Sequence, residues 1–182
     1  MGDAPSNETS QQTILLHLRR RIMKTVIGID PDVNKSGYAV FRDGELVTVT
    51  TMNFPDLYAS LRGYITNTLP CNSLTIVVEA GWLNPSNWHL GRIPSLARAA
   101  KIGESVGRCH QVGLCLLSLL YRDADGMDNV RIIEQKPLKK IWQGRDNKIT
   151  QGELERVIGR PIKQTNQEGR DACLLAYTHR HG

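Results

Sequence analysis

The chain has 182 residues, 40% of them hydrophobic, with 23 Lys and Arg against 18 Asp and Glu and a net charge of +5. That is enough chain for one domain with a full core, and the basic excess favours a polyanionic partner without establishing one. No apolar run approaches the roughly 20 residues that span a membrane. None of the four cysteines pairs at the CxxC spacing of a zinc or redox motif.

Residues 1–12 are polar and small and read as disordered. Ile14 to Ile22 mixes Leu15, Leu16 and Leu18 with Arg19, Arg20 and Arg21, and admits either a short basic helix or an extension ahead of a start at Met23. The division expected is therefore an N-terminal extension over 1–22 and one domain over 23–182. Lys24–Asp30 reads as a buried strand, Ser36–Arg42 as its hairpin partner and Glu45–Met52 as a third strand after the turn signal Asp43-Gly44. Pro55 opens a helix with Leu57, Leu61, Tyr64 and Ile65 on one stripe, and Leu74–Glu79 is a fourth strand.

A loop over 80–93 carries Trp82 and Trp88. Pro94 opens a long helix to about Tyr121, with Leu96, Ala99, Ile102, Val106, Val112, Leu116, Leu119 and Leu120 on its apolar face. Val130–Glu134 is a fifth strand. Short helices are expected over Pro137–Gln143, with Leu138, Ile141 and Trp142 facing the core, and over Thr150–Ile158, and Asn166 caps a last helix running to about His179. Cys115 and Cys173 sit in apolar stretches and are expected to be buried thiols. With no signal-peptide pattern, the expected location is intracellular. The element order describes an α/β domain with no internal repeat.

Four acids stand out. Asp30 ends the apolar run Thr25–Ile29, and Glu79 ends the run Leu74–Val78. Glu168 and Asp171 lie three apart, just ahead of Ala172–Ala176, on one face of the last helix. Carboxylates brought together repel unless a cation lies between them. Oxygen ligands with open positions suit Mg²⁺ or Mn²⁺, which points to chemistry on phosphate esters. The blander reading is acids favoured by a helix dipole. It is weaker at the two strand ends, where a buried charge is costly without a partner. The densest basic stretch holds Lys136, Lys139, Lys140, Arg145 and Lys148, read as phosphate contacts or as a solvated face. His17, His89 and His110 show no ligand spacing, and His179 and His181 read as solvated.

These segments together resemble the RuvC-type Holliday-junction resolvases of the ribonuclease H-like superfamily. The resemblance rests on Ile27-Gly28-Ile29-Asp30-Pro31 with Ser36–Val40, on Val77-Val78-Glu79, on Lys136–Lys140 with Gly144 and Lys148, and on Glu168-x-x-Asp171-Ala172 followed by Leu174–Ala176. It covers roughly Lys24 to His179. Asp32 stands where the family usually has Gly, Glu168 where it has Asp or His, and the segment after Glu79 is longer than usual.

The resemblance implies a five-stranded mixed sheet, an antiparallel three-stranded meander plus two parallel strands, flanked by helices. It implies a structure-selective endonuclease that cuts four-way DNA junctions with two Mg²⁺ ions per site, for which Mn²⁺ substitutes. Asp30, Glu79, Glu168 and Asp171 would be both metal ligands and catalytic residues, with Asp30 bridging the ions. Trp82 would wedge into the open junction or else pack beneath its own loop. Paired cuts imply a homodimer, with the long helix supplying much of the interface, and products with 5′-phosphate and 3′-hydroxyl ends. The competing readings are an RNA or RNA–DNA hybrid nuclease of the same fold and a non-catalytic nucleic-acid-binding module. An actin-like ATPase is set aside because the chain is too short for its two domains.

Overall fold

A computed structural model describes residues 22–84, 95–139 and 141–181. The 1–21 part of the expected extension, Trp88, Pro94 and Lys140 lie outside the described residues. Strands β1 (Lys24–Asp30), β2 (Ser36–Arg42), β3 (Glu45–Met52), β4 (Ser73–Glu79) and β5 (Val130–Gln135) form one sheet in the order β3-β2-β1-β4-β5. β1 pairs antiparallel with β2 and parallel with β4; β2 and β3 are antiparallel, and β4 and β5 parallel. This is the five-stranded mixed sheet, a three-stranded meander plus two parallel strands, that the resemblance implies. The helices are α1 (Phe54–Asn67), α2 (Leu96–Asp123), α3 (Gln151–Ile158) and α4 (Gln167–His179).

Local chemistry explains most boundaries. Asp43 and Gly44 both take positive φ, 50° and 86°, as a tight two-residue hairpin turn requires. Asp43 Oδ1 also accepts the Lys24 N–H at 2.9 Å. Asn53 caps α1 by accepting the Asp56 N–H, and Pro55 stands in the first turn, where a missing N–H costs nothing. Thr150 and Glu153 form a reciprocal capping box on α3, and Asn166 caps α4.

Alternating strand residues feed two cores. Ile27, Ile29, Ile76 and Val78 meet α1 and α2 on one face. Val26, Val77, Ala39 and Phe41 meet α3 and α4 on the other. With both faces covered, β1 and β4 read as continuous apolar runs.

Four expectations are corrected. No helix forms over the described part of Pro137–Gln143; the chain runs irregularly to a 3₁₀ turn at Arg145–Asn147. Pro137 lacks an N–H and turns its predecessor away from helical geometry. The N–H groups of Trp142 and Gly144 are meanwhile taken by the carbonyls of Asn147 and Lys148. Ile141, expected to face the core, is 74% exposed. The long helix starts at Leu96, capped by Ser95, and only its C-terminal half reaches the core, through Gly113, Leu116, Leu117 and Leu120; Leu96 is 90% exposed. Cys115 therefore faces outward, whereas Cys173 is buried, its thiol pushed up to about 12 by desolvation. No helix among the described residues is long and apolar enough to cross a membrane.

The tightest packing lies between α4 and the sheet. A Cβ built on Gly28 would fall 2.2 Å from the Ala172 carbonyl oxygen, and one on Gly37 would fall 1.9 Å from that of Glu168. Both neighbours are backbone and cannot swing aside. Gly28→Ala or Gly37→Ala should each destabilise the fold by about 1–3 kcal/mol or more. A urea denaturation series checks this against Gly63→Ala, where a Cβ meets nothing within 4 Å.

Candidate active site

Asp30 and Glu79 end adjacent parallel strands, with Ile29 registered against Val78. Asp30 is also registered against Gly37 on β2, the residue on which the start of α4 rests. The close contact at Gly37 brings the first turns of α4, with Glu168 and Asp171, to the strand ends. All four predicted acids line two adjoining cavities of about 250 and 320 Å³. Asp30, Glu79, Lys148 and His110 belong to both, with Asp171 in the first and Glu168 in the second.

The acids feel one another. Burial, then the charge of Glu79 and that of Asp171, raise the Asp30 carboxyl well above its usual range; Glu168 adds to this and Lys148 opposes it. Lys148 donates to Asp171 Oδ2 at 3.0 Å, while Gln167 Nε2 donates to Asp171 Oδ1 at 2.7 Å. Burial would lower the Lys148 pKa, but Asp171, Asp30 and Glu168 outweigh it and raise the value.

The loop bearing Lys148 is pinned at both ends. The Glu153 carboxylate accepts the Thr150 N–H at 2.9 Å and the Gln143 N–H at 3.0 Å, which hold its pKa low. Arg170 donates to the Ile149 carbonyl at 3.0 Å and to Gln167 Oε1 at 2.8 Å. These bonds tie the loop to α4 beside Asp171.

Asp32, the departure at the family's usual glycine, builds its own turn. Its Oδ1 accepts the Asn34 N–H at 2.8 Å, and its N–H donates to Ser36 Oγ at 3.1 Å. Its other oxygen accepts the Cys109 thiol at 3.7 Å.

The basic residues separate. Lys148 sits among the acids, so its partner here is a carboxylate. Lys139 lines the cavity rim. Lys136 is exposed, and Arg145 projects into solvent beside Asp146. Trp82 is packed: its ring lies edge-on to His110, its Nε1 donates to Glu134 Oε2 at 3.0 Å, and a Cβ on Gly113 would strike it at 2.5 Å. Packing beneath the loop, one of the two readings of this residue, is the arrangement seen.

The sequence reading missed His110 and Gln167. His110 shares a face of α2 with Val106 and Gly113, and that periodicity was the available signal.

Among the described residues, no group of three or more His, Cys, Asp and Glu side chains is already disposed around a metal position. Both Asp171 oxygens are occupied by hydrogen bonds. The donor chemistry nevertheless fits a hard divalent cation. The acids supply only oxygen, they line two adjoining cavities that share Asp30 and Glu79, and the proton affinity of Asp30 is raised by burial first and then by the neighbouring acids.

The fold is similar to two solved structures of RuvC from Thermus thermophilus. One, in complex with Holliday junction substrate, has a TM-score of 0.47 at 12% identity, covering 87% of this chain and 92% of that one. The other has a TM-score of 0.44 at 14% identity, covering 85% and 92%. No protein-family model and no curated protein matches the chain.

Because Asp30 holds its proton more tightly folded than unfolded, its contribution to stability is complete below the unfolded pKa. That contribution is lost as pH rises through the raised folded value. In chelator, melting temperature should therefore carry a downward component above about pH 4, the ordinary carboxylate pKa. Asp30→Asn should flatten it. Saturating Mg²⁺ should raise the wild-type melting temperature at neutral pH, by about 2–4 °C per kcal/mol of binding, and should do so much less in the variant.

Proposed function

We propose that the chain is a divalent-metal-dependent endonuclease acting on four-way DNA junctions. The observation that carries the reading is the delivery of Asp30, Glu79, Glu168 and Asp171 from two strand ends and one helix to two adjoining cavities, one of them rimmed by Lys139. The motif order along the chain supports the junction as substrate. Asp30, Glu79, Glu168 and Asp171 would hold two Mg²⁺ ions, for which Mn²⁺ substitutes. When bound, the ions would lower the pKa of an attacking water and stabilise the leaving oxygen.

The protein's own groups have distinct tasks in this reading. The carboxylates define where the phosphate sits and can accept a proton from water. Lys148 holds Asp171 in place through its bond to Oδ2. Lys139, with Lys136, Lys140 and Arg145, contacts flanking phosphates and sets the register of the nucleic acid. Trp82 supports the site as packing under α2.

Paired cuts call for two copies of the chain, and α2 is proposed as the shared face. It exposes Leu114 and Tyr121, seven residues apart on one side of the helix. Leu114→Asp should reduce the sedimenting species from a dimer to a monomer in analytical ultracentrifugation.

The central test is cleavage of a mobile synthetic four-way junction in Mg²⁺, beside a linear duplex and an RNA–DNA hybrid. The junction should be cut, leaving 5′-phosphate ends. Asp30→Asn should slow cutting more than about 100-fold, beyond the usual loss for a supporting residue around a metal, with junction affinity retained in a gel-shift assay. Preferential cutting of the hybrid would favour the RNA-directed alternative. Binding with no cutting in Mg²⁺ or Mn²⁺ would leave a binding module.

A further inference from the structure

We propose that His110 donates the proton to the oxygen that leaves phosphorus in this site; the proposal rests on the nuclease reading above. His110 comes from α2, an element that contributes none of the four acids. Its side chain borders both lobes of the cavity, together with Asp30 and Glu79. Among the described residues lining those lobes it is the sole histidine.

The imidazole is placed from two sides. Its Nε2 lies 2.8 Å from the position a Cβ would take on Gly81, two residues past Glu79. Its ring meets Trp82 edge-on, with centroids 6.0 Å apart. Trp82 is itself held by its hydrogen bond to Glu134. Gly81 therefore leaves the room that the imidazole uses, and Trp82 limits its tilt.

The other cavity groups are suited to different work. Asp30, Glu79, Glu168 and Asp171 are carboxyl groups, suited to accepting a proton or holding a cation. Lys148, paired with Asp171 and raised in pKa, keeps its proton and acts as a fixed charge. Lys139 is exposed at the rim. Asp32 is committed to its turn, and the Cys109 thiol beside it is raised in pKa, first by burial, and gives up its proton reluctantly. An imidazole is the side chain that gives and takes a proton near neutral pH.

In the step inferred, the water oxygen forms a bond to phosphorus and releases its proton to a carboxylate or solvent. The bond from phosphorus to the 3′ oxygen breaks, and its electron pair stays on that oxygen. A ring N–H of His110 supplies the proton that makes the 3′-hydroxyl, and the imidazole is reprotonated from solvent.

The test first maps the wild-type cut in a four-way junction with Mn²⁺, which tolerates sulfur better than Mg²⁺. It then replaces the 3′ bridging oxygen there by sulfur, a leaving group that needs no proton. His110→Gln should slow cutting of the oxygen substrate by about 10²–10⁴-fold and cut the sulfur substrate within about tenfold of wild type. Asp30→Asn should be slow on both. Circular dichroism checks the fold, and His110→Asn replaces the Gln variant if that one is unfolded. Equal slowing of His110→Gln on both substrates, or no slowing on either, overturns the donor role while leaving the nuclease reading intact. A wild-type chain that cuts neither substrate sinks both.

Discussion

The rest of the site depends on a backbone contact: α4 lies directly on β1 and β2, because Gly28 and Gly37 present no side chain there. The Ala172 and Glu168 carbonyls occupy space that any other residue would fill with a Cβ. A helix held further off would carry Glu168 and Asp171 away from the ends of β1 and β4. The same contact buries Ala172, Cys173 and Ala176 against Val26, Ala39 and Val77, so the packing that stabilises this face also sets the position of the acids. Stability and site geometry are the same set of atomic contacts here.

The consequence is an electrostatic load. The four acids line adjoining cavities, and burial first, then the charges of Glu79, Asp171 and Glu168, raise the proton affinity of Asp30. The fold offsets part of it with Lys148, and holds the loop that carries this lysine through bonds on either side of it. Glu153 anchors Gln143 and Thr150, and Arg170 anchors Ile149. Repulsion that a bound cation would relieve is a common feature of sites built for cations, where local instability accompanies function.

The two sheet faces contribute differently. The α3 and α4 side supplies two acids, the lysine and the network that orients them. The α1 and α2 side supplies the wall. α2 reaches the core only through its C-terminal half, while Cys109 and His110, nearer its middle, border the cavity. Trp82 joins the wall to the sheet through Glu134 at the end of β5. The edge of its benzo ring lies against Gly113 of α2, so it is part of the support for the cavity.

Strand ends, caps and acids were legible from the chain alone. Asp30 and Glu79 terminate apolar runs whose burial on both faces follows from composition, and Asn53, Thr150 and Asn166 mark helix starts by short-range hydrogen bonding. Those signals act within a few residues, so sequence by itself determined the five strands and marked the acids at their ends. The irregular path after Pro137, the outward turn of Cys115, the packing of Trp82, the pairing of Lys148 with Asp171 and the placement of His110 over Gly81 were decided by tertiary structure. Each depends on groups far apart in the chain, such as 81 with 110 or 148 with 171, competing for the same space or the same proton. No local propensity encodes the outcome of such a competition, because it is settled only when the layers close on one another.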